Sequence, residues 1–517
     1  MPKGLGVLIV VLLIIGIFFR FYNLDRKVYW HDEAYTSLRI AGYTTKELVQ
    51  QVFDNQIIDR EALQKYQRPN SEKNLGHTLN SLATEDPQHP PLYYAIARTW
   101  VQIFGYSPAT IRSFSVLISL LVFPCVYWLC WELFGTPLVG WVAIALFAVS
   151  PFQLVYAQEA REYILWMVTI LLSSAALLRA MRIKTKLSWV IYTVTVALQL
   201  YTFPFSLLVM AGHGIYVLAT EGYRFSKTLM AYAVSSIAGL IAFLPWFMII
   251  SNNLSQAEEP TSWTTKKVNL LSLSKVWIGN ISRIFFDVNI DSNDLVIYLI
   301  IIILTILILV GYSIYFLARK APKRASVFML LLIGITSITL ILADLILGGR
   351  RSGVNRYQIP SYLGIELAVA YLLTSGMFGT LSSQTSQKIW KAIAAVLIAA
   401  GAISCAVSSQ ADTWWSKKDS HHNPQVARII NQANRPLLIS SNNSTNIGNI
   451  LSLSYLLKPE TRLQLVVEPI LPKIPKGFTD VFLFNPSKNL RKKLEKEQKS
   501  KIKPVKSDEF RLWKLTQ

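Results

Sequence analysis

The sequence predicts an all-α polytopic membrane protein with a small C-terminal α/β domain outside the membrane. Three observations lead there. Of 517 residues, 52% are apolar and only 16% charged, against about 25% charged in an ordinary soluble domain. Apolar runs of span length recur through residue 409. Beyond residue 410 the pattern changes to short strand-like runs and polar helices. With a mean hydropathy of +0.37, these features exclude a disordered chain and argue against a soluble globular enzyme.

The first run, Gly4 to Phe19, follows Lys3. No small-x-small cleavage site comes after it; Arg20, Phe21 and Tyr22 do. That reads as a retained span with basic and aromatic residues at the interface. Further runs cover 110–134, 137–154, 163–181, 187–203, 205–220, 228–250, 293–318, 325–347, 358–378 and 389–409, giving about eleven transmembrane helices. Pro91 to Phe104 has 14 residues and contains Arg98, short of the roughly 20 a span needs. It reads as a surface helix. With that parity Arg179/Arg182/Lys184/Lys186, Arg224/Lys227 and Arg319/Lys320/Lys323/Arg324 share the side of the N-terminus, which the positive-inside rule makes cytoplasmic. The expected organisation follows. Residues 1–409 form a transmembrane module whose first outer loop, 23–109, includes the surface helix 91–104. Residues 410–517 form a soluble α/β domain on the outer, periplasmic face. The expected location is the plasma (inner) membrane, multi-pass, with the active site outside.

In the tail, Pro436–Ser441, Arg462–Glu468 and Asp480–Pro486 have strand composition, and Asn446–Leu457 and Lys488–Lys499 look helical. The basic run Arg491–Lys506 reads as a solvated helix face and linker, with contact to anionic lipid heads as the alternative. The net charge is +21, and the tail, with 19 basic and nine acidic residues, holds about half of it. Such an excess suits nucleic acid, anionic lipid or a phosphate-bearing substrate; in a chain of this class it is read as loop charge and membrane-lipid contact, with no nucleic-acid partner. Cys125, Cys130 and Cys405 lie in apolar runs and form no disulfide framework or zinc spacing.

Acids are scarce in the membrane part. Between Pro91 and Ile250 there are four: Glu132, Glu159, Glu162 and Glu221. Glu159 and Glu162 flank Arg161 in a predicted outer turn, where a helical turn would make them neighbours. The first outer loop opens with Trp30-His31-Asp32-Glu33-Ala34-Tyr35; taken alone, such acids suit a helix N-terminus. The loop closes on His89-Pro90-Pro91, with Pro91 fit for a first helical position. Arg350, Arg351 and Arg356 stand beside the outer surface, where paired guanidinium donors suit a phosphate and lipid head groups are the plainer partner. Asp344 and Glu366 lie within or near span ends; pairing of Asp344 with an arginine of the 350 region is the simpler account.

This order of motifs resembles the polytopic glycosyltransferases of the GT-C type, in the broad bacterial branch related to dolichyl-phosphate-mannose protein mannosyltransferases and lipid A aminoarabinose transferases (glycosyltransferase family 39-like). The resemblance covers residues 1 to roughly 380. It implies a hexosyl- or pentosyltransferase whose donor is a sugar on a polyprenyl phosphate. Asp32 then matches the catalytic aspartate, with Glu33 beside it. His89 matches the histidine of the family's His-Pro-Pro element and Arg161 an arginine that the family uses near the donor phosphate, where His89, Arg350, Arg351 and Arg356 are expected to help; Glu159 or Glu162 falls near the second acidic position. Arg356-Tyr357 resembles a late Arg-Tyr element. The acceptor, a glycolipid, polysaccharide or protein, stays open.

The residues agree. Nucleotide sugars are cytosolic, whereas the candidate site faces outside and the chain has no Gly-rich phosphate loop. A donor drawn from the membrane removes that difficulty. The expected reaction is an inverting displacement with Asp32 as general base and the arginines stabilising the departing phosphate. A divalent metal held by Asp32 and Glu159 is chemically compatible, but no obligatory cofactor is expected. Alternatives are a transporter or flippase, which would show inverted repeats and midplane polar groups, and a polysaccharide polymerase or ligase, which would carry its main outer loop late in the chain.

Overall fold

The computed structural model describes residues 3–289, 297–379, 383–443, 445–507 and 510–516. It divides into two units. One comprises Met1–Tyr22, Asp86–Tyr93 and Arg112–Ser409; the other comprises Asn23–Glu85, Tyr94–Ile111 and Gln410–Gln517.

In the first unit each expected apolar run is mainly helical over its described residues, with breaks at 149–150 and 201–203. Among the described residues eight helices are long and apolar enough to cross a membrane, nine if the bent pair Pro137–Ala148 and Pro151–Ala157 is one span. Two further apolar helices, Lys186–Leu200 and Ser206–Thr220, have 15 residues each, short of the roughly 20 expected of a span. The eleven anticipated runs therefore correspond to elements of unequal length. The 64° bend has a local cause. Pro151 lacks an N–H and disfavours helical backbone at the residue before it. Ser150 is accordingly extended (φ −71°, ψ 123°) and caps the following helix, accepting from Gln153 N–H.

Close packing fixes the start of the chain against this break. Gly16 lies where a Cβ would overlap the carbonyl of Ala148. Arg20, expected at the interface, is buried. It donates to the carbonyls of Gly16 (2.9 Å), Ala148 (2.8 Å) and Phe147 (2.9 Å). It thus satisfies acceptors that the end of helix Pro137–Ala148 leaves free.

The second unit is built on a six-stranded mixed sheet, in the order β1 (Asp54–Ile58), β3 (Arg462–Val466), β2 (Pro436–Ser441), β4 (Asp480–Phe484), β6 (Leu512–Thr516), β5 (Lys501–Pro504). β2 runs parallel to β3 and to β4; the other pairs are antiparallel. All of β2 is buried, as befits a central parallel strand. Leu437, Ile439, Leu483, Leu494, Ile502 and Trp513 form a core. The three anticipated tail strands and both helices are present. Two features differ from expectation. The end of the basic run, read as linker, is the edge strand β5, a position where lysines discourage further pairing. And β1 comes from the first loop, pairing Ile58 with Leu463 and Asp54 with Val466. The structure therefore groups most of residues 23–109 with the tail, where the sequence placed them with residues 1–409.

The helix Leu92–Phe104 is present as anticipated. Arg98, which spoiled it as a span, is buried in the second unit. It donates to the carbonyl of Ile40 (2.5 Å), to Thr78 Oγ1 (3.1 Å) and to the carbonyl of Lys73.

Candidate active site

The residues singled out in the sequence fall into two clusters, one in each unit. In the membrane unit the turn 158–162 joins helix Pro151–Ala157 to helix Tyr163–Ile183. It is not helical, so Glu159 and Glu162 are not helix neighbours. Gln158 ties it to the end of the first helix, its amide donating to the carbonyls of Phe19 (2.8 Å) and Tyr22 (3.1 Å). The His-Pro-Pro segment is held on either side by bonds to helix Lys227–Asn252 and to the residue that follows helix Lys186–Leu200. Trp246 Nε1 donates to Pro87 O (3.0 Å), and Leu92 N–H to Tyr201 O (3.2 Å).

These anchors bring His89, Arg161 and Glu162 together. Glu162 is fully buried. Its Oε1 lies 2.8 Å from His89 Nδ1 and 3.4 Å from Arg161 Nη2. Burial pushes the Glu162 carboxyl up, but Arg161 and His89 outweigh it and hold it at about 2. Glu162 is an anion at neutral pH and serves as an anchor, not a proton donor. Arg161 Nη2 lies 3.1 Å from His89 Nε2 and 3.5 Å from Nδ1. A nitrogen so nearly equidistant from both ring nitrogens is not in line with either lone pair. The guanidinium lies against the ring, so His89 does not relay a proton between Glu162 and Arg161.

Aromatic rings organise the remaining cations. Arg161 and Arg356 lie over Tyr163, at 5.5 and 5.6 Å from its centroid. Arg356 and Arg350 lie over Trp263, at 6.0 and 5.5 Å. Two rings thus hold three like charges in one region, each cation facing a negative π surface. Glu159 is buried nearby in sequence, and Arg161 N–H donates to its carbonyl (2.8 Å).

Arg351, expected at the donor phosphate, is ion-paired with Asp344. Its guanidinium meets Asp344 Oδ1 at 3.2 Å, and its N–H donates to the same oxygen at 3.0 Å. Ser352 N–H and Oγ both donate to Asp344 Oδ2 at 2.7 Å. Asp344 and Arg351 therefore shape the turn after helix Lys323–Leu347, the simpler of the two accounts the sequence left. Glu366 is fully buried and accepts from Gln153 Nε2 at 2.8 Å, a core contact between helices.

The second cluster lies at the start of helix His31–Ala41. The acid pair is split there. Asp32 is half-buried at the second helical position; Glu33, at the third, is fully buried. Glu33 accepts from Trp30 N–H (3.3 Å) in a capping box and lies 3.6 Å from Lys417 Nζ. Glu33, expected beside the catalytic position, thus takes a buried place. Gly42, at φ +90°, closes the helix in the left-handed region where a side chain is strained. Among the described residues no three His, Cys, Asp or Glu side chains gather into a metal-ligand group. Sequence reasoning missed Tyr163, Trp263 and Lys417. Only their neighbours reveal them, since a lone Trp in a loop or a Lys in a basic tail carries no distinguishing pattern.

Residues 88–249 match the family model for dolichyl-phosphate-mannose-protein mannosyltransferase. The match contains His89, Glu159, Arg161 and Glu162. No curated protein matches the sequence. Among solved structures, ArnT from Cupriavidus metallidurans bound to undecaprenyl phosphate is similar with a TM-score of 0.55 at 12% identity, over 100% of this chain and 98% of that one. The Archaeoglobus fulgidus oligosaccharyltransferase tethered with an acceptor peptide gives 0.51 at 12% identity, over 89% of this chain. The archaeal oligosaccharyltransferase AglB from Archaeoglobus fulgidus, in complex with an inhibitory peptide and a dolichol-phosphate, gives 0.50 at 13% identity, over 88%. This chain spans 64% of the archaeal protein in both cases. Identities this low establish the fold. It is the GT-C-type fold of a multi-pass membrane protein with a small extramembrane α/β region, as the sequence predicted.

Proposed function

We propose that this GT-C-fold protein is a glycosyltransferase that moves a sugar from a polyprenyl phosphate to an acceptor hydroxyl outside the plasma membrane. The observation that carries the reading is the arginine cluster. Arg161 and Arg356 bracket Tyr163, and Arg350 joins Arg356 at Trp263. Buried Glu162 and part-buried His89 hold Arg161 in place. Three cations against Glu162 and Glu159 leave positive charge for an anion such as a lipid phosphate. The match of residues 88–249 to the mannosyltransferase model, and the undecaprenyl phosphate in the similar structure, support a lipid-phosphate donor.

In the proposed reaction the acceptor oxygen attacks the anomeric carbon as its proton passes to Asp32. The anomeric carbon–oxygen bond to phosphate breaks, with inversion. Arg161, Arg356 and Arg350 take up the charge that develops on the departing phosphate. Asp32 must lie within about 3 Å of the acceptor hydroxyl in the ternary complex. Glu162 and Arg351, already ion-paired, position the site. No obligatory cation is proposed, since the arginines supply the charge stabilisation that a divalent cation would give.

The test compares lipids from cells that express wild type or Asp32→Asn in a background lacking the native protein. A polyprenyl-phosphate sugar building up only with Asp32→Asn identifies the donor and supports the base. A general base supplies about 10²–10⁴-fold of rate, so near-normal turnover by Asp32→Asn would refute its role.

A further inference from the structure

The helix that carries Asp32 is held at its first turn by the C-terminal part of the chain, within the second unit. Four contacts converge there. His31 N–H donates to Ser420 Oγ (2.9 Å), and the Ser420 hydroxyl donates onward to Asn449 Oδ1 (2.7 Å). Asn423 secures that pair, its amide reaching Asn449 Oδ1 (3.4 Å) and Ser452 Oγ (3.0 Å). Lys417, itself buried, puts its ammonium 3.6 Å from Glu33 and 5.1 Å from the Trp30 ring centroid. Gly448 packs so closely on the rings of His31 and Tyr35 that a Cβ would overlap both. Thus residues on either side of Asp32, and its helix cap, are each gripped by a segment about 400 residues later.

Such investment is unusual for a surface turn. Glu33 alone would complete the capping box, without a buried lysine. A buried ion pair adds little net stability, since desolvation of both charges offsets their attraction. Its geometric effect is larger: it admits few arrangements of the two chain segments that form it. Ser420, Asn423 and Asn449 are buried as well. A buried polar network whose members satisfy one another specifies one conformation.

We infer that Lys417, Ser420 and Gly448 are positioning residues that fix the Asp32 carboxylate for proton transfer, and that Glu33 acts with Lys417 and not as a catalytic acid. The C-terminal region is then part of the catalytic apparatus without touching substrate. This rests on the proposed role of Asp32. A misplacement of about 1 Å can lower turnover by about 10²-fold, which sets the scale of the effect.

The experiment uses the full chain. Turnover is read as consumption of the polyprenyl-phosphate sugar pool in cells lacking the native protein. Integrity is read as affinity of the purified protein for undecaprenyl phosphate. Glu33→Gln/Lys417→Met removes both charges of the pair together and keeps a capping side chain. Gly448→Ala leaves every charge in place and presses on the same turn from helix Asn446–Ser454. Each should lower turnover by about 10- to 100-fold with undecaprenyl-phosphate affinity unchanged, and Lys417→Arg should retain most of the turnover. Wild-type turnover by the double variant overturns the inference. If the double variant loses lipid affinity, Gly448→Ala decides by the same two outcomes. Asp32→Asn is run in parallel. If it stays active, the proposed function fails; if it is inactive while the positioning variants turn over normally, only this inference fails.

Discussion

Glu162 gives the sharpest quantitative test of the arginine cluster. The structure makes it a fully buried anion between Arg161 and His89. Burial alone would raise its pKa; the two partners instead lower it from 4.5 to about 2. At about 1.4 kcal/mol per pKa unit, that depression is worth about 3 kcal/mol at neutral pH. The sign is that of a depressed acid. The stabilisation is complete above pH 4.5 and is lost as pH falls through about 2. Glu162→Gln removes it and leaves Arg161 without its buried anion, and breaking such a pair costs about 3–5 kcal/mol. SDS titration in mixed micelles at pH 7 should show a loss of about 3 kcal/mol. Between pH 4.5 and 2 the gap from wild type should narrow, because wild type then loses what the variant already lacks. An unchanged unfolding free energy at pH 7, with turnover abolished, would refute the anchor and make Glu162 a participant in proton transfer.

Other outcomes follow from the same geometry. Arg161→Gln and Arg356→Gln should each weaken binding of undecaprenyl phosphate, measured by tryptophan quenching, by about 10- to 100-fold, since a charge-assisted hydrogen bond contributes about 1.5–3 kcal/mol; unchanged affinity in both removes the cluster from donor binding. Arg351→Gln should lower stability while leaving that affinity intact, because its guanidinium is ion-paired with Asp344; thermal scans and the same titration separate the two. Turnover of purified protein should be unaffected by EDTA; loss on chelation and recovery with a divalent cation would replace the metal-independent reading.

Much of the fold was legible because its signals are local. An apolar run long enough to span a membrane reads alike in any context. So does β2, whose six residues are all buried and whose sequence is mostly apolar. β1 was not legible. Its residues, Asp54-Asn-Gln-Ile-Ile58, have no strong alternation, and they form a strand by pairing with β3 about 400 residues away. β5 was hidden by its lysines, whose charge suggested linker while Ile502 between them enters the core. In the site, the motif residues were found but not their partners. Nothing local determines that Arg351 turns to Asp344 while Arg356 faces Tyr163. Those choices are made by the turn after helix Lys323–Leu347 and by rings supplied from other segments.

The acid pair shows how far a dipeptide can be read without its neighbours. Two adjacent carboxylates suggest one shared role, such as a base with a helper or a metal clamp. Helix geometry forbids that sharing once both residues lie in a first turn. Successive side chains diverge by about 100°, so if one enters the interior the next does not. Glu33 goes inward, where only a cap and a buried cation make its charge tolerable, and the chain supplies both in Trp30 N–H and Lys417. Asp32 stays half-buried, at a helix N-terminus that favours negative charge. That is the environment a base needs: reachable by a hydroxyl and held by a rigid element. The buried acid accounts for the rigidity, and the accessible one is left for the proposed proton transfer. Exchanging the two acids, by Asp32→Glu together with Glu33→Asp, would retain the charge and an acid pair at the same place. The shorter side chain at the buried position would no longer reach Trp30 N–H and Lys417. Turnover should therefore be lost even though a carboxylate still follows His31.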